Sequence, residues 1–183
     1  MTRPFLPLPL CACLLFVGGP SFAENPGPEG AADVVDVSAT QTLGWIESFR
    51  LMPGRALLKA KLDSGAKSSA LHAENIEYFE QDNRQMVRFT VLEDHRDPES
   101  ERFIYERPLV REVSIKLRRT EQRDARPAVR LEFCMAGKRR ETLFTLTDRG
   151  NFNYPVLLGR DFLKHGIVVD SSATFTQRTR CPR

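Results

Sequence analysis

An all-β domain is the fold class that this 183-residue chain predicts, and three observations carry it. Short runs rich in β-branched and aromatic residues recur from residue 43 to about residue 170. Several alternate apolar and polar side chains with a period of two, as a half-buried strand does. Turn residues or charged loops separate these runs at modest spacing, which fits a closed or nearly closed β architecture and not a βαβ fold.

The first residues lie outside that domain. Arg3 is the sole charge in residues 1–23, an apolar run spans residues 10–17, and Gly18-Gly19-Pro20 breaks it. Ser21 and Ala23 put small residues at −3 and −1 of a cleavage point, the layout of a secretory signal peptide. The apolar run is too short to span a bilayer as a helix, so no stable membrane insertion is expected after cleavage. The expected location is periplasmic or secreted. Residues 24–42 are rich in Pro, Gly, Ala and acids without apolar periodicity, and read as a flexible linker.

The domain is read as residues 43–175, with a C-terminal tail over 176–183. Residues 44–49 mix aromatic and β-branched side chains and predict a strand, and Met52-Pro53-Gly54 predicts a turn. Residues 56–62 form a second strand whose end alternates with lysine; it runs into Asp63-Ser64-Gly65-Ala66. Residues 68–73 continue as extended or short helical structure. Residues 86–92 form a strand, residues 93–102 a charged loop containing Pro98, and residues 103–105 a strand interrupted at Pro108. Residues 113–117 and 129–133 alternate cleanly on either side of a charged hairpin tip. Ala136-Gly137-Lys138 turns into a strand at 141–146, and an apolar run at 154–158 ends at Gly159. Residues 160–165 predict one short C-terminal helix stopped by Gly166, before a last strand at 167–169. Eight or nine strands result.

Composition excludes some functions. The 41% hydrophobic and 28% charged residues are ordinary for a globular chain, which argues against disorder throughout. Net charge is +3, with acids nearly balancing arginine and no basic block interleaved with aromatics, so nucleic acid is not an expected partner. The histidines are His72, His95 and His165; they form no H-E-x-x-H and no Cys/His ligand spacing, and no phosphate-binding glycine loop is present. No metal and no cofactor are therefore expected. Once a signal peptide is removed, Cys134 and Cys181 remain. They stand either as a disulfide tying a late strand to the tail or as two free thiols, and the sequence does not choose.

A D-S-G tripeptide alone is often an ordinary turn. More specific is its pairing, about ninety residues later, with a Leu-Leu-Gly-Arg segment and a last apolar strand. The first motif reads Ala60-Lys61-Leu62-Asp63-Ser64-Gly65-Ala66-Lys67-Ser68-Ser69-Ala70-Leu71-His72-Ala73, and the second Tyr154-Pro155-Val156-Leu157-Leu158-Gly159-Arg160. On these motifs the chain resembles the retropepsin-like aspartic proteases. More closely, it looks like the small bacterial family long labelled ATP-dependent zinc proteases and later regrouped with retropepsins. The resemblance spans residues 43–170 and implies a closed retropepsin-like barrel.

It also implies an aspartic endopeptidase. Two carboxylates about 3 Å apart share one proton because like charges that close cannot both ionise, and a water between them attacks the scissile carbonyl. The resemblance implies catalytic roles for Asp63, Ser64 and Gly65, and substrate-binding or structural support from Ala66, His72, Gly159 and Arg160. Gly65 lets backbone approach the carboxylate, and the resemblance implies that the Ser64 hydroxyl bridges the two active-site loops. Only one such Asp is visible: Asp148-Arg149-Gly150 lacks the hydroxyl residue and Asp170-Ser171-Ser172 the glycine. A homodimer is therefore the expected partner arrangement, with a peptide or protein as substrate. The flap is expected in the hairpin over 113–133, with its charged tip at 118–125. Retroviral enzymes carry an acid where this chain has Lys67, so the family's acid–arginine pair must be replaced; Asp161 is one candidate partner for Lys67. Ala66 offers no hydroxyl to the carboxylate, which predicts a working pH nearer mild than strong acid. The alternative is a weak or inactive dimer that binds peptide or a partner protein in the same groove.

Overall fold

The computed structural model describes residues 40–54, 56–116, 123–179 and 181. The chain divides into two units, residues 1–34 and residues 35–183. The first, with the expected signal peptide and most of the linker, lies outside the described residues, as do residues 117–122 of the expected hairpin tip. No helix among the described residues is long and apolar enough to cross a membrane.

Eleven strands and one helical turn make up the second unit. They are β1 (Gln41–Leu51), β2 (Leu57–Leu62), β3 (Ser69–His72), β4 (Glu74–Gln81), β5 (Arg84–Leu92), β6 (Arg102–Pro108), β7 (Arg111–Lys116), β8 (Arg123–Met135), β9 (Lys138–Thr147), β10 (Val156–Leu158), α1 (Arg160–Leu163) and β11 (Ile167–Thr174). The all-β expectation holds, and so does the short C-terminal helix, which is one turn long. The strand count of eight or nine was low. The missed strand β4 has no period to read: its eight residues include no buried one. Asp82 and Asn83, both with positive φ (51° and 57°), turn it tightly into β5.

Six strands close into a barrel in the order β1-β2-β10-β3-β9-β8, and β8 returns to β1 through Arg50↔Cys134 and Leu51↔Phe133. Two of the ladders, β2–β10 and β3–β9, are parallel. They place the two sequence motifs side by side, since β2 leads into Asp63 and β10 leads into Gly159. β11 adds to the first half of β1 in parallel, and β7 adds to β8. β4, β5 and β6 form a separate antiparallel sheet whose central strand sends Val87, Phe89 and Val91 into the common core.

Alternation explains how that core fills. In β2, Leu58, Ala60 and Leu62 are buried while Leu57, Lys59 and Lys61 face outward. Phe49 and Phe133 stack with centroids 4.4 Å apart, and Phe144 meets both edge-on at 5.9 Å. Gly44 is required where β1 shifts register against β11: a Cβ there would lie 2.5 Å from the Ala173 carbonyl oxygen. Beyond β11, the tail is fastened to β1. Buried Glu47 accepts hydrogen bonds from the Gly44 and Thr176 backbone N–H groups and from the Thr176 hydroxyl.

Cys134 and Cys181 are joined by a disulfide, which settles the alternative left open by the sequence. The bridge closes a sequence separation of 47 residues, a loop for which chain entropy gives about 4 kcal/mol of stabilisation. The aromatic stack generates a further expectation. Phe133→Ala should cost about 3–5 kcal/mol in urea unfolding, because it removes the ring that touches Phe49, Phe144 and Phe162 and leaves a cavity.

Candidate active site

Asp63 stands just past the last residue of β2, on the outward face that Lys61 occupies two positions earlier. Its backbone is pinned, with the N–H donating to the Leu158 carbonyl at 2.8 Å. The Gly65 N–H donates to Oδ1 at 3.0 Å, and the Lys61 ammonium lies 3.1 Å from Oδ2. The side chain remains 24% exposed, so this is a partly buried carboxylate open to a ligand. Partial burial pushes its pKa up, but the Lys61 hydrogen bond and the Gly65 N–H outweigh that and leave it below the usual carboxylate value. This pull opposes the effect read from Ala66.

The loop after Asp63 docks onto the second motif almost entirely through backbone. The Arg160 N–H donates to the Ala66 carbonyl and the Asp161 N–H to the Lys67 carbonyl, each at 2.9 Å. Two N–H groups that a helix N-terminus leaves without partners are thus satisfied by the motif loop. The Arg160 guanidinium donates to the carbonyls of Ser64 and Gly65 at 2.9 and 3.0 Å. The Gly159 N–H donates to the buried Ser69 hydroxyl at 3.2 Å. Gly159 itself cannot be larger, because a Cβ would meet the Ser68 carbonyl oxygen at 2.5 Å.

The expected Lys67–Asp161 ion pair is not formed. The two residues meet through backbone, and the Asp161 carboxylate lies 4.0 Å from Lys164 instead. Arg160 instead turns Nη1 onto the loop carbonyls of Ser64 and Gly65. Ser64 is exposed and borders a second cavity of about 360 Å³ with Arg160, Leu163, Lys164, Ile167 and Val169.

A cavity of about 320 Å³ opens over Asp63, lined by Trp45, Lys61, Arg149, Phe152, Asn153, Tyr154 and Leu157. Arg149 was not singled out as a site residue from the sequence. It is only 8% exposed, its Nε donates to the Tyr154 carbonyl at 3.4 Å, and its guanidinium lies 4.5 Å from the Phe152 ring centroid. Burial and neighbouring Arg126 lower its pKa, while Asp63 raises it. Among the described residues no carboxylate forms an ion pair with it, although the Asp63 charge is felt at the guanidinium.

His72 does not line this cavity. It is buried behind it, and its Nδ1 accepts the Arg149 N–H at 2.8 Å, which places the ring proton on Nε2. That Nε2 has no hydrogen-bond partner and lies 3.6 Å from Glu74 Oε1. The His95 ring packs on His72 at 5.4 Å, and its Nε2 bonds the Phe152 carbonyl at 2.8 Å. His95, to which the sequence assigns no site role, therefore helps His72 hold the cavity wall over residues 149–152. Nothing local marks it; only the tertiary contact does. His165 lines neither cavity.

A model of the RimB-like family, described as retropepsin-like aspartic endopeptidase RimB, matches residues 42–180. The chain belongs to this family. A solved structure of a protein of unknown function from Legionella pneumophila superposes with a TM-score of 0.64 at 35% identity, covering 75% of this chain and 98% of that one. Curated relatives carry a different name, probable alpha-L-glutamate ligase. The protein from Shewanella pealeana is 32% identical over 124 residues, 67% of this chain and 26% of its own length. The one from Parasynechococcus marenigrum is 30% identical over 139 residues, 68% of this chain and 27% of its own length. The chain thus spans about a quarter of these curated relatives.

His72 makes stability depend on pH. Burial, reinforced by His95, depresses its pKa against the opposing pull of Asp148 and Glu74. The unfolded chain takes up the proton near pH 6.5 and the folded one only at lower pH, so stability is full above about 6.5 and falls as pH drops toward the folded pKa. Thermal melts of the wild type should decline from pH 7 to pH 5, and His72→Gln should flatten that decline while lowering stability at pH 7.

Proposed function

We propose that this protein is an exported aspartic endopeptidase whose site is completed by a second copy of the chain. The observation that carries the reading is Asp63: a partly exposed carboxylate at a cavity, with Oδ1 held by the Gly65 N–H inside a family named for aspartic endopeptidase chemistry. Two Asp63 carboxyls facing across a two-fold axis hold one proton between them. Water lying between them attacks the peptide carbonyl as one carboxylate takes its proton. The other carboxyl protonates the leaving nitrogen, so the pair returns to its starting state after one peptide bond is cleaved.

A second copy is supported by what one chain leaves open. Ser64, Arg160 and Lys164 border the second cavity with Leu163, Ile167 and Val169. A half-complete site beside a groove of mixed polar and apolar lining suits an isologous interface. The layout of residues 1–23 supports export, and an extracytoplasmic setting is one in which a disulfide such as Cys134–Cys181 persists.

Substrates are acidic peptides in this reading. Arg149 and Lys61 present two cations to the cavity. The relatives named probable alpha-L-glutamate ligase support glutamate as the acidic residue. A non-catalytic peptide-binding dimer would use the same groove, but it has no need of a carboxylate held in this way.

Wild type and Asp63→Asn, both shown to be folded dimers by sedimentation, should be compared on an acidic peptide library between about pH 4 and 7. Cleavage by the wild type should fall at least about 1000-fold in Asp63→Asn. Equal activity would refute the aspartic mechanism, and binding without cleavage by both would select the binding role. The cation reading has its own measurement, the ratio of kcat/KM for matched Glu and Gln peptides. Arg149→Met should reduce that ratio by about tenfold, the effect of losing roughly 1.4 kcal/mol of charged contact. An unchanged ratio would remove Arg149 from substrate selection.

A further inference from the structure

Lys61 is fixed in place by its backbone. β2 is an interior strand, and Lys61 pairs with Ile46 on β1 and with Leu157 on β10. Its side chain leaves the outward face two residues before Asp63, so both side chains reach the same cavity. The ammonium sits 3.1 Å from Asp63 Oδ2, while Oδ1 is occupied by the Gly65 N–H. The two carboxylate oxygens therefore have separate partners, a side-chain cation on one and a backbone N–H on the other. The other charged groups near Asp63 are differently engaged. Arg149 is buried against Phe152 and Tyr154, and the Arg160 guanidinium is turned onto the loop carbonyls of Ser64 and Gly65.

We propose that Lys61 is a positioning residue that sets the pH at which Asp63 gives up its proton, and so sets the alkaline edge of activity. This rests on the reading of Asp63 as the working carboxyl. Two such carboxyls brought together repel as anions and retain a shared proton to higher pH. An ammonium against each opposes that by favouring the ionised form, which confines the single-proton state to more acid conditions. A bare surface ion pair adds little to stability, but its effect on a working carboxyl is read directly in the pH dependence. The direction agrees with the depressed pKa of Asp63 in the single chain.

The test is a carbon-13 NMR titration of the Asp63 carboxyl, assigned by the signal lost in Asp63→Asn, in wild type, Lys61→Met, Lys61→Gln and Lys61→Arg. In Lys61→Met and Lys61→Gln the midpoint should rise by about 0.5–1 pH unit, and Lys61→Arg should restore it. The alkaline limb of kcat/KM should move with the midpoint. In the wild type, raising salt from about 10 mM to about 1 M should also raise the midpoint, because a partly exposed pair is screened. This arm needs no substitution to fold. Unchanged midpoints in the variants and in salt would overturn the proposal, even if the variants lose activity. Shifted midpoints in a protein that cleaves nothing would uphold the control of Asp63 by Lys61 and defeat the endopeptidase reading instead.

Discussion

The site depends on one backbone clasp. Residues 63–67 form a largely exposed turn after β2, and its internal bonds are the Gly65 N–H on Asp63 Oδ1 and the Ala66 N–H on the Asp63 carbonyl. The second motif supplies the rest: the Leu158 carbonyl takes the Asp63 N–H, the first N–H groups of α1 reach the Ala66 and Lys67 carbonyls, and Arg160 closes on the carbonyls of Ser64 and Gly65. These bonds satisfy the orphan groups of the helix and of the loop together, so neither motif keeps its geometry without the other. The glycine at 159 is the condition for this approach, since any side chain there meets the Ser68 backbone.

Around the clasp the barrel separates support from chemistry. The inward residues of β2 fill the core, while its outward residues lead to the cation and the carboxylate of the cavity. The opposite wall is held from behind by two histidines that meet edge-on and bond backbone, one at Arg149 and one at Phe152. The result is a carboxylate in a cationic setting, with Lys61 in contact and Arg149 across the cavity. Such an environment favours the ionised carboxyl and attracts negative ligands at the same time.

Much of this was legible in the chain. The alternation of β2, β7 and β8 and the apolar run of β10 announce strands, and the two motifs declare the family because their residues must meet in space. β4 was not legible because it is exposed on both faces and carries no period. The role of Arg160 could be read as structural, but not its partners, because backbone carbonyls leave no mark in sequence. His95 and Arg149 were missed for a related reason. Each acts through one main-chain contact or through burial that appears only when distant loops converge. Arg149 did carry a weak signal, an arginine between Asp148 and Gly150 shortly before the second motif.

β1 is the first strand of the barrel, yet its partners come late. It pairs with β2, with β8 at residues 133–134, and with β11 from residue 167 onward, and its Glu47 receives the tail at Thr176. Contacts so distant along the chain make loop closure slow. During synthesis β1 can gain β2 early, but the barrel cannot shut until more than a hundred further residues have followed. The domain is thus built to close only once β11 has been made, and a chain cut short before β11 leaves its opening strand with a bare edge, open to pairing with other chains.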